Sequence, residues 1–307
     1  MLFGNTLKRY GFFLALCCFC SLFSYSQNYI DLLKINAGTT PLNTFDSSGT
    51  ASVLNEYGVD VTLPIKINDN TAFLTGFGYE NFQTKLFTQQ HTQSLSAIAL
   101  KLGLSHNFNE KLSTTVVLLP KLATNFGPIT GKDFQVGALA FFKYKAKPNL
   151  NFRYGLYYNT ESFGPLFVPL LGLYYLSKNQ KFEITAMLPI SADINYRIIK
   201  LLSVGVNFNG QTKSYHATNI NPGLKSAYVV RQTNEVFTYF KFNFGKSIIF
   251  QTKVGQSFGR KFRVYNDDDK VDFALPLTFF NDRRKQLNTN FSNGLLFQLV
   301  LIYRLPL

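Results

Sequence analysis

The chain has 307 residues, 46% apolar and 16% aromatic, with 17 Tyr, 32 Phe and no Trp, yet its mean hydropathy is near zero at +0.01. Outside the N-terminus nothing stays apolar for the ~18 residues that a membrane helix needs, so a helical membrane protein is not expected; apolar residues interleaved with polar ones point to strands with one greasy face. The formal net charge of +14 suits anionic partners such as lipopolysaccharide phosphates or acidic solutes, but the basic residues are scattered singly and form no nucleic-acid-binding motif.

Residues 1–26 read as a cleaved secretory signal. Lys8 and Arg9 form its charged start, 11–23 its apolar stretch, and Ser24-Tyr25-Ser26 a small-residue cleavage site before Gln27. A lipoprotein signal is the alternative, because Cys17, Cys18 and Cys20 are present. The residues before them, Leu16, Cys17 and Phe19, are not the small ones such a signal wants. All three cysteines fall in this segment. The expected mature domain, 27–307, therefore makes no disulfide, thiolate metal site or cysteine nucleophile.

From residue 31 onward the chain alternates. Leu33, Ile35 and Ala37 share one face of a first strand over 31–38. Over 53–67, Tyr57, Val59, Val61, Leu63, Ile65 and Ile67 point one way, and Glu56, Gly58, Asp60, Thr62, Pro64 and Lys66 the other. A sandwich strand alternates too, but is usually half as long. Asn68-Asp69-Asn70 turns the chain into a strand carrying Phe73, Thr75, Phe77 and Tyr79. Further strands are expected over 95–107, 113–123 (facing ambiguous), 134–145, 152–158, 167–176, 182–188, 194–198, 202–209, 229–244 and 248–258. In 134–145, Leu139 and Phe141 make the middle apolar on both faces. The last stretch, 292–307, reads SNGLLFQLVLIYRLPL and alternates for about a dozen residues, where a tilted strand needs roughly 9–11 to cross a bilayer. To avoid a bare edge it must pair back with the first strand and close a barrel.

The expected fold is thus all-β: a single antiparallel transmembrane β-barrel of about 14 strands, within a range of 12–16. Short turns fall near residues 69, 110, 148, 179, 200 and 245. The joints between them are mostly longer, at 39–50, 83–94, 124–133, 159–166, 211–226 and 260–290; only the one at Pro189 is short. Outer-membrane barrels are built this way, with short periplasmic turns and long extracellular loops.

The signal, the alternating strands and the final strand resemble Gram-negative outer-membrane β-barrels. Ser292, Gly294, Phe297 and Leu299 are similar to the assembly signal of such barrels, although the chain ends in Leu307 and not in an aromatic residue. The expected mature chain also resembles an uncharacterised outer-membrane barrel family defined only as a domain of unknown function. That resemblance implies the fold and a location in the outer membrane after export; the expected partners are outer-membrane lipid, lipopolysaccharide and the outer-membrane assembly machinery. It implies no activity.

Alternation aims a set of charged residues at the lumen: Lys66, Lys101, Lys143, Lys145, Arg153, Lys181, Arg197, Lys241 and Lys253, with the acids Glu56, Asp60, Glu183 and Asp193. Basic groups outnumber acids about two to one. They form salt-bridge ladders or sit in water, or they give a pore a weak anion preference. The expected function is a passive pore or channel for small solutes, and the alternative is a structural or surface-interaction barrel with a plugged lumen. No enzyme, cofactor or metal site is expected. Of the three histidines, His91 and His216 fall in expected loops and His106 near a strand end; no spacing clusters them as zinc ligands. His91 beside Thr92 and Ser94, or His216 after Ser214, is what polar loops commonly contain. Asp267-Asp268-Asp269 lacks the spaced oxygen ligands and Gly of an EF-hand. The same long joint holds an apolar stretch, 273–280, expected to extend the last hairpin or fold inward as a plug.

Overall fold

The computed structural model describes residues 29–46, 49–89 and 91–306; the signal expected over 1–26 lies outside them. In chain order the strands are β1 (Tyr29–Thr44), β2 (Ala51–Lys66), β3 (Thr71–Thr84), β4 (Gln93–Asn107), β5 (Leu112–Thr124), β6 (Phe134–Lys147), β7 (Leu150–Glu161), β8 (Gly164–Leu176), β9 (Phe182–Leu188), β10 (Ser191–Arg197), β11 (Leu202–Asn221), β12 (Leu224–Phe244), β13 (Ile248–Asn266), β14 (Phe273–Leu275), β15 (Thr278–Phe280) and β16 (Leu295–Pro306). Fourteen of these, β1–β13 and β16, form a closed antiparallel barrel in sequence order. β14 and β15 make a small hairpin against the edge of β8. Closure runs from Tyr29↔Pro306 to Thr39↔Phe297 between β1 and β16. It pairs the backbone groups that would otherwise face hydrocarbon, so the sheet has no lipid-exposed edge.

Alternation sorts the side chains as the sequence implies. Leu63, Phe77, Leu100, Leu118, Phe142, Leu156, Val206, Val254 and Leu301 are exposed on the outer surface, where lipid is their natural solvent. Without Trp, the aromatic rim falls to other rings: Phe108, Tyr144, Tyr196, Phe244 and Tyr303 near the short turns, Phe134 and Phe258 toward the opposite end. On β5 the ambiguous facing resolves. Ser113, Thr115 and Val117 are buried, whereas Val116 and Leu118 are exposed.

Two expected loops are strand instead. The joint at 159–166 contracts to a tight turn between Glu161 and Gly164, whose φ of +129° favours glycine. The joint at 211–226 contracts to a turn at 222–223, with Gly223 at φ +85°; β11 and β12 pair straight through it, from Gln211↔Thr233 to Thr218↔Ser226. The first strand also runs on to Thr44, leaving a shorter joint than the 39–50 expected. The extension of β11 and β12 escapes a period-2 reading because the side chains of 214–217 and 227–231 are buried on both faces, so polar and apolar residues mix on each.

The extensions of β11, β12 and β13 leave the wall together and fold inward as a three-stranded tongue. β10 follows β11 only as far as Asn209, and the Gly210 N–H donates to the Ile190 carbonyl at 2.7 Å. Beyond that point β11 reaches across the barrel and bridges β5 at His216↔Thr124. At the same level the β12–β13 register breaks between Gln232 and Asn234, and Gly259 adopts φ +59°. A bulge facing a left-handed glycine bends the strand pair. Arg260, buried at that bend, donates to Asn43 Oδ1 at 2.8 Å and Thr40 Oγ1 at 3.3 Å, tying it to β1.

The outer face makes a direct prediction. Leu100 sits mid-strand and 50% exposed, so Leu100→Arg should cost about 2–4 kcal/mol of folding stability in a bilayer. Urea titration of folding into lipid vesicles measures it, and unchanged stability would contradict the lipid-facing assignment.

Candidate functional site

The tongue occupies the loop-side part of the lumen and is buried on both faces. One face carries Tyr215, Ala217, Val229, Phe262 and Val264, packed on Phe45, Leu54, Phe82, Leu95 and Phe291. The other carries Tyr228, Val230 and Tyr265, packed on Phe163, Leu166, Val168 and Leu170, with Leu139 at the margin. This is why β6 is apolar on both sides at its middle. Arg284 closes the second cluster from above, its guanidinium 4.4 Å from the Tyr265 ring centre and 4.5 Å from that of Phe279.

Ion pairs lock the foot of the tongue to the wall. Glu80 on β3 accepts from Lys213 Nζ at 2.5 Å and from Tyr215 Oη at 2.6 Å. Arg231 on β12 donates to Glu56 on β2 and lies 3.8 Å from Glu235. On the other side, Glu161 at the end of β7 accepts from both the backbone N–H and the hydroxyl of Ser214 at 2.6 Å, and pairs with Lys121 at 3.4 Å. Charged groups this deep are tolerable only when paired, and removing one partner of such a pair is strongly destabilising.

A cavity of about 350 Å³ lies in the lumen at the foot of the tongue. Its wall comes from β1–β5, β7, β11–β13 and β16, and includes Lys34, Asn36, Glu56, Asp60, Glu80, Lys101, Lys121, Lys213, Arg231, Glu235, Lys253 and Gln298. Of the residues that alternation aimed inward, Glu56, Asp60, Lys101 and Lys253 line it, with Lys101 bonded to Asp60 at 2.7 Å. Others lie inside the barrel away from this cavity: Glu183 accepts from Tyr29 Oη at 2.8 Å, Asp193 accepts from Tyr239 Oη at 2.9 Å, and Lys241 is buried. Lys143 and Arg153 are cross-strand neighbours, and Lys145 pairs with Asn151 two register positions on along the same strands. Lys66, Lys181 and Arg197 are exposed at the short-turn end, where Lys66 meets Asp69 at 2.7 Å.

Sequence reasoning missed Lys34, Glu80, Lys121, Lys213, Arg231 and Glu235. Lys34 and Glu80 share the polar register of their strands and were open to the alternation argument. Lys213 lies in a segment where the sequence predicts a loop, and nothing local marks it.

Beyond the apolar belt, at the loop-side rim, a polar cluster fastens the tongue's second face. His216 sits between Asp133, 3.0 Å from Nδ1, and Ser226, 3.0 Å from Nε2, with Asp267 Oδ2 3.4 Å from Nε2. Ser226 donates to Asp267, which also receives Lys132 Nζ at 3.0 Å. Lys270 is the other cation beside this carboxylate. Asp133 ends a 3-10 turn, Gly131–Asp133, capped by Thr130. Ser226, His216 and Asp133 have the spacing of a nucleophile, base and orienting acid, but their chemistry differs. A carboxylate lies beside each ring nitrogen, which favours the protonated imidazole over a base, and the Ser226 hydroxyl already donates its hydrogen bond to Asp267. Ser214, beside His216 in sequence, bonds Glu161 instead. Among the described residues no three His, Asp or Glu converge to hold a metal.

His216 is raised above the ordinary histidine range, first by its hydrogen bond to Asp267 and then by Asp133, against the cost of burial. Burial raises Asp267, but hydrogen bonds from His216, Ser226 and Lys132 outweigh it and hold the carboxyl below its usual range. Asp133 is likewise lowered, burial being outweighed by hydrogen bonds from Thr124, the Thr130 backbone and His216. A raised folded-state value stabilises fully below the unfolded histidine value of ~6.5 and is lost as pH rises through the folded value. The two lowered acids lose their contribution as pH falls through theirs. Hydrogen-exchange protection of amides 212–229, corrected for intrinsic rate, should therefore fall as the medium goes from about pH 6 to about pH 9. His216→Gln should flatten that profile, and a profile unchanged in His216→Gln would contradict the assignment.

No curated protein matches the chain. Among solved structures it is similar to an outer-membrane channel from Pseudomonas putida F1, at 9% identity over 90% of this chain and 96% of that one, TM-score 0.44. It is similar to the toluene transporter TodX of Pseudomonas putida at 9% identity over 90% and 89%, TM-score 0.37, and to the NanC porin at 8% identity over 89% and 100%, TM-score 0.36. The model of one protein family, described as Domain of unknown function (DUF6268), matches residues 41–298. With that much of its length matched, the chain belongs to the family Domain of unknown function (DUF6268).

Proposed function

We propose that this protein is an outer-membrane channel for small polar solutes, held closed in this conformation by its tongue. The observation that carries the reading is the charged cavity at the foot of the tongue. A barrel that serves only as a scaffold gains nothing from keeping a polar space of about 350 Å³ in its lumen, because every charge there must be compensated. A channel needs such a space, lined by polar groups that replace water around the solute. The short turns face the periplasm and the tongue closes the outer mouth. The exposed Lys132, Lys270, Arg283 and Lys285 at that end meet lipopolysaccharide phosphates, and 292–299 serves assembly into the membrane.

A second reading, a plugged barrel that carries nothing, is favoured by the two apolar clusters that bury the tongue as deeply as a domain core. Single-channel current across a planar bilayer separates the two. Residues 29–306 contain no cysteine, and a Cβ built on Gly127 falls 3.5 Å from Thr218 Cβ, within disulfide range. The unaltered barrel should open rarely. Glu80→Gln with Tyr215→Phe, which frees the foot of the tongue, should open about tenfold or more often, the effect of losing charge-assisted hydrogen bonds of ~1.5–3 kcal/mol. Gly127→Cys with Thr218→Cys should be silent when oxidised and recover on reduction. Silence from the loosened variant, folded as judged by its heat-modifiable gel migration, would sink the channel and leave the plugged barrel.

A further inference from the structure

We infer that the lumen cavity is a binding site for a small oxyanion, a solute bearing a carboxylate or phosphate group, seated between Lys34 and Lys253. The inference rests on the reading of the lumen as a solute path and names the class of solute it admits. It follows from how charges pair around the cavity. Each carboxylate in or beside it already has a cation: Asp60 has Lys101, Glu80 has Lys213, Glu161 has Lys121, Glu56 has Arg231, and Glu235 lies 3.8 Å from both Arg231 and Arg260. Two cations are left over. Among the described residues neither Lys34 nor Lys253 has a carboxylate oxygen in salt-bridge range.

Lys253 is the stronger indicator. It is 6% exposed, lines the cavity, and its ammonium reaches one hydrogen-bond acceptor, Asn207 Oδ1 at 3.4 Å. The faces of Phe237 and Tyr239, 5.7 and 5.8 Å away, shield it from below. An ammonium keeps its charge at such a site only if an anion or water compensates it. Lys34, on β1, reaches the same space from across β16, and the amides of Asn36 and Gln298 supply neutral donors between them. At ~30 Å³ per water in the liquid, the cavity has room for a solute of about ten non-hydrogen atoms. A solute cation would face two unpaired lysines and find every carboxylate already occupied.

The test uses the full barrel refolded in detergent micelles, titrated calorimetrically with inorganic phosphate and separately with succinate at low salt. At least one should bind saturably at a single site. Lys253→Gln should weaken that binding by about tenfold or more, as loss of one partner of a buried charge pair does, and Lys34→Gln, whose side chain is solvated, by about threefold or more, while Lys66→Gln, at the exposed turn, should not. Phosphate alone, succinate alone or both identify the head group. If Lys253→Gln loses heat-modifiable migration, Lys34→Gln carries the same comparison. Saturable binding of neither anion, or unaltered affinity in a folded lysine variant, overturns the inference. The two readings fail separately: current in bilayers without anion binding in micelles removes the site and keeps the channel, and binding without current does the reverse.

Discussion

In hydrocarbon an unpaired backbone N–H or C=O has no water to turn to, and that requirement organises this molecule. It obliges β16 to return to β1 and makes the wall continuous at the bilayer. It also decides where the wall may open. β9 and β10 are short, and β8 and β11 stand taller than the hairpin between them. Above that hairpin the free edge of β8 takes on β14. β11 turns inward, away from lipid, and finds β5 across the lumen. The tongue is in this sense a consequence of the closure rule: strands long enough to outgrow their neighbours must find partners inside the barrel.

Once inside, the tongue meets two kinds of surface. Near the mouth it finds apolar side chains on both faces and packs as a core does. Near its foot it meets the charged interior, where low dielectric strengthens each ion pair and penalises each unpaired charge. Glu80 and Glu56 therefore act as clasps for Lys213, Tyr215 and Arg231. Around the cavity those clasps occupy the carboxylates, and Lys34 and Lys253 are the cations left beside it.

The rim cluster shows how little residue identity alone says about chemistry. Ser226, His216 and Asp133 stand in the order and spacing of a catalytic set, yet Asp267 on the far side favours the protonated histidine and accepts the serine's hydrogen bond. The same groups that could activate a nucleophile here hold three segments together: the turn before β6, the tongue, and the chain after β13.

The sequence by itself determined the wall. Strand number, strand order, closure and the lipid face follow from alternation, which is local: each residue of a lipid-facing strand meets hydrocarbon or lumen according to its own parity. Part of the cavity followed too, because Glu56, Asp60, Lys101 and Lys253 sit on the inward parity of recognisable strands. Only the tertiary structure decided the tongue. Residues 211–230 have protein on both faces, so Tyr228, Val229 and Val230 are all buried and no period marks the strand. Lys213 and Glu80 lie 133 residues apart in sequence, and which cation each carboxylate would take, and which two lysines would go without, depended on the fold that brought them together.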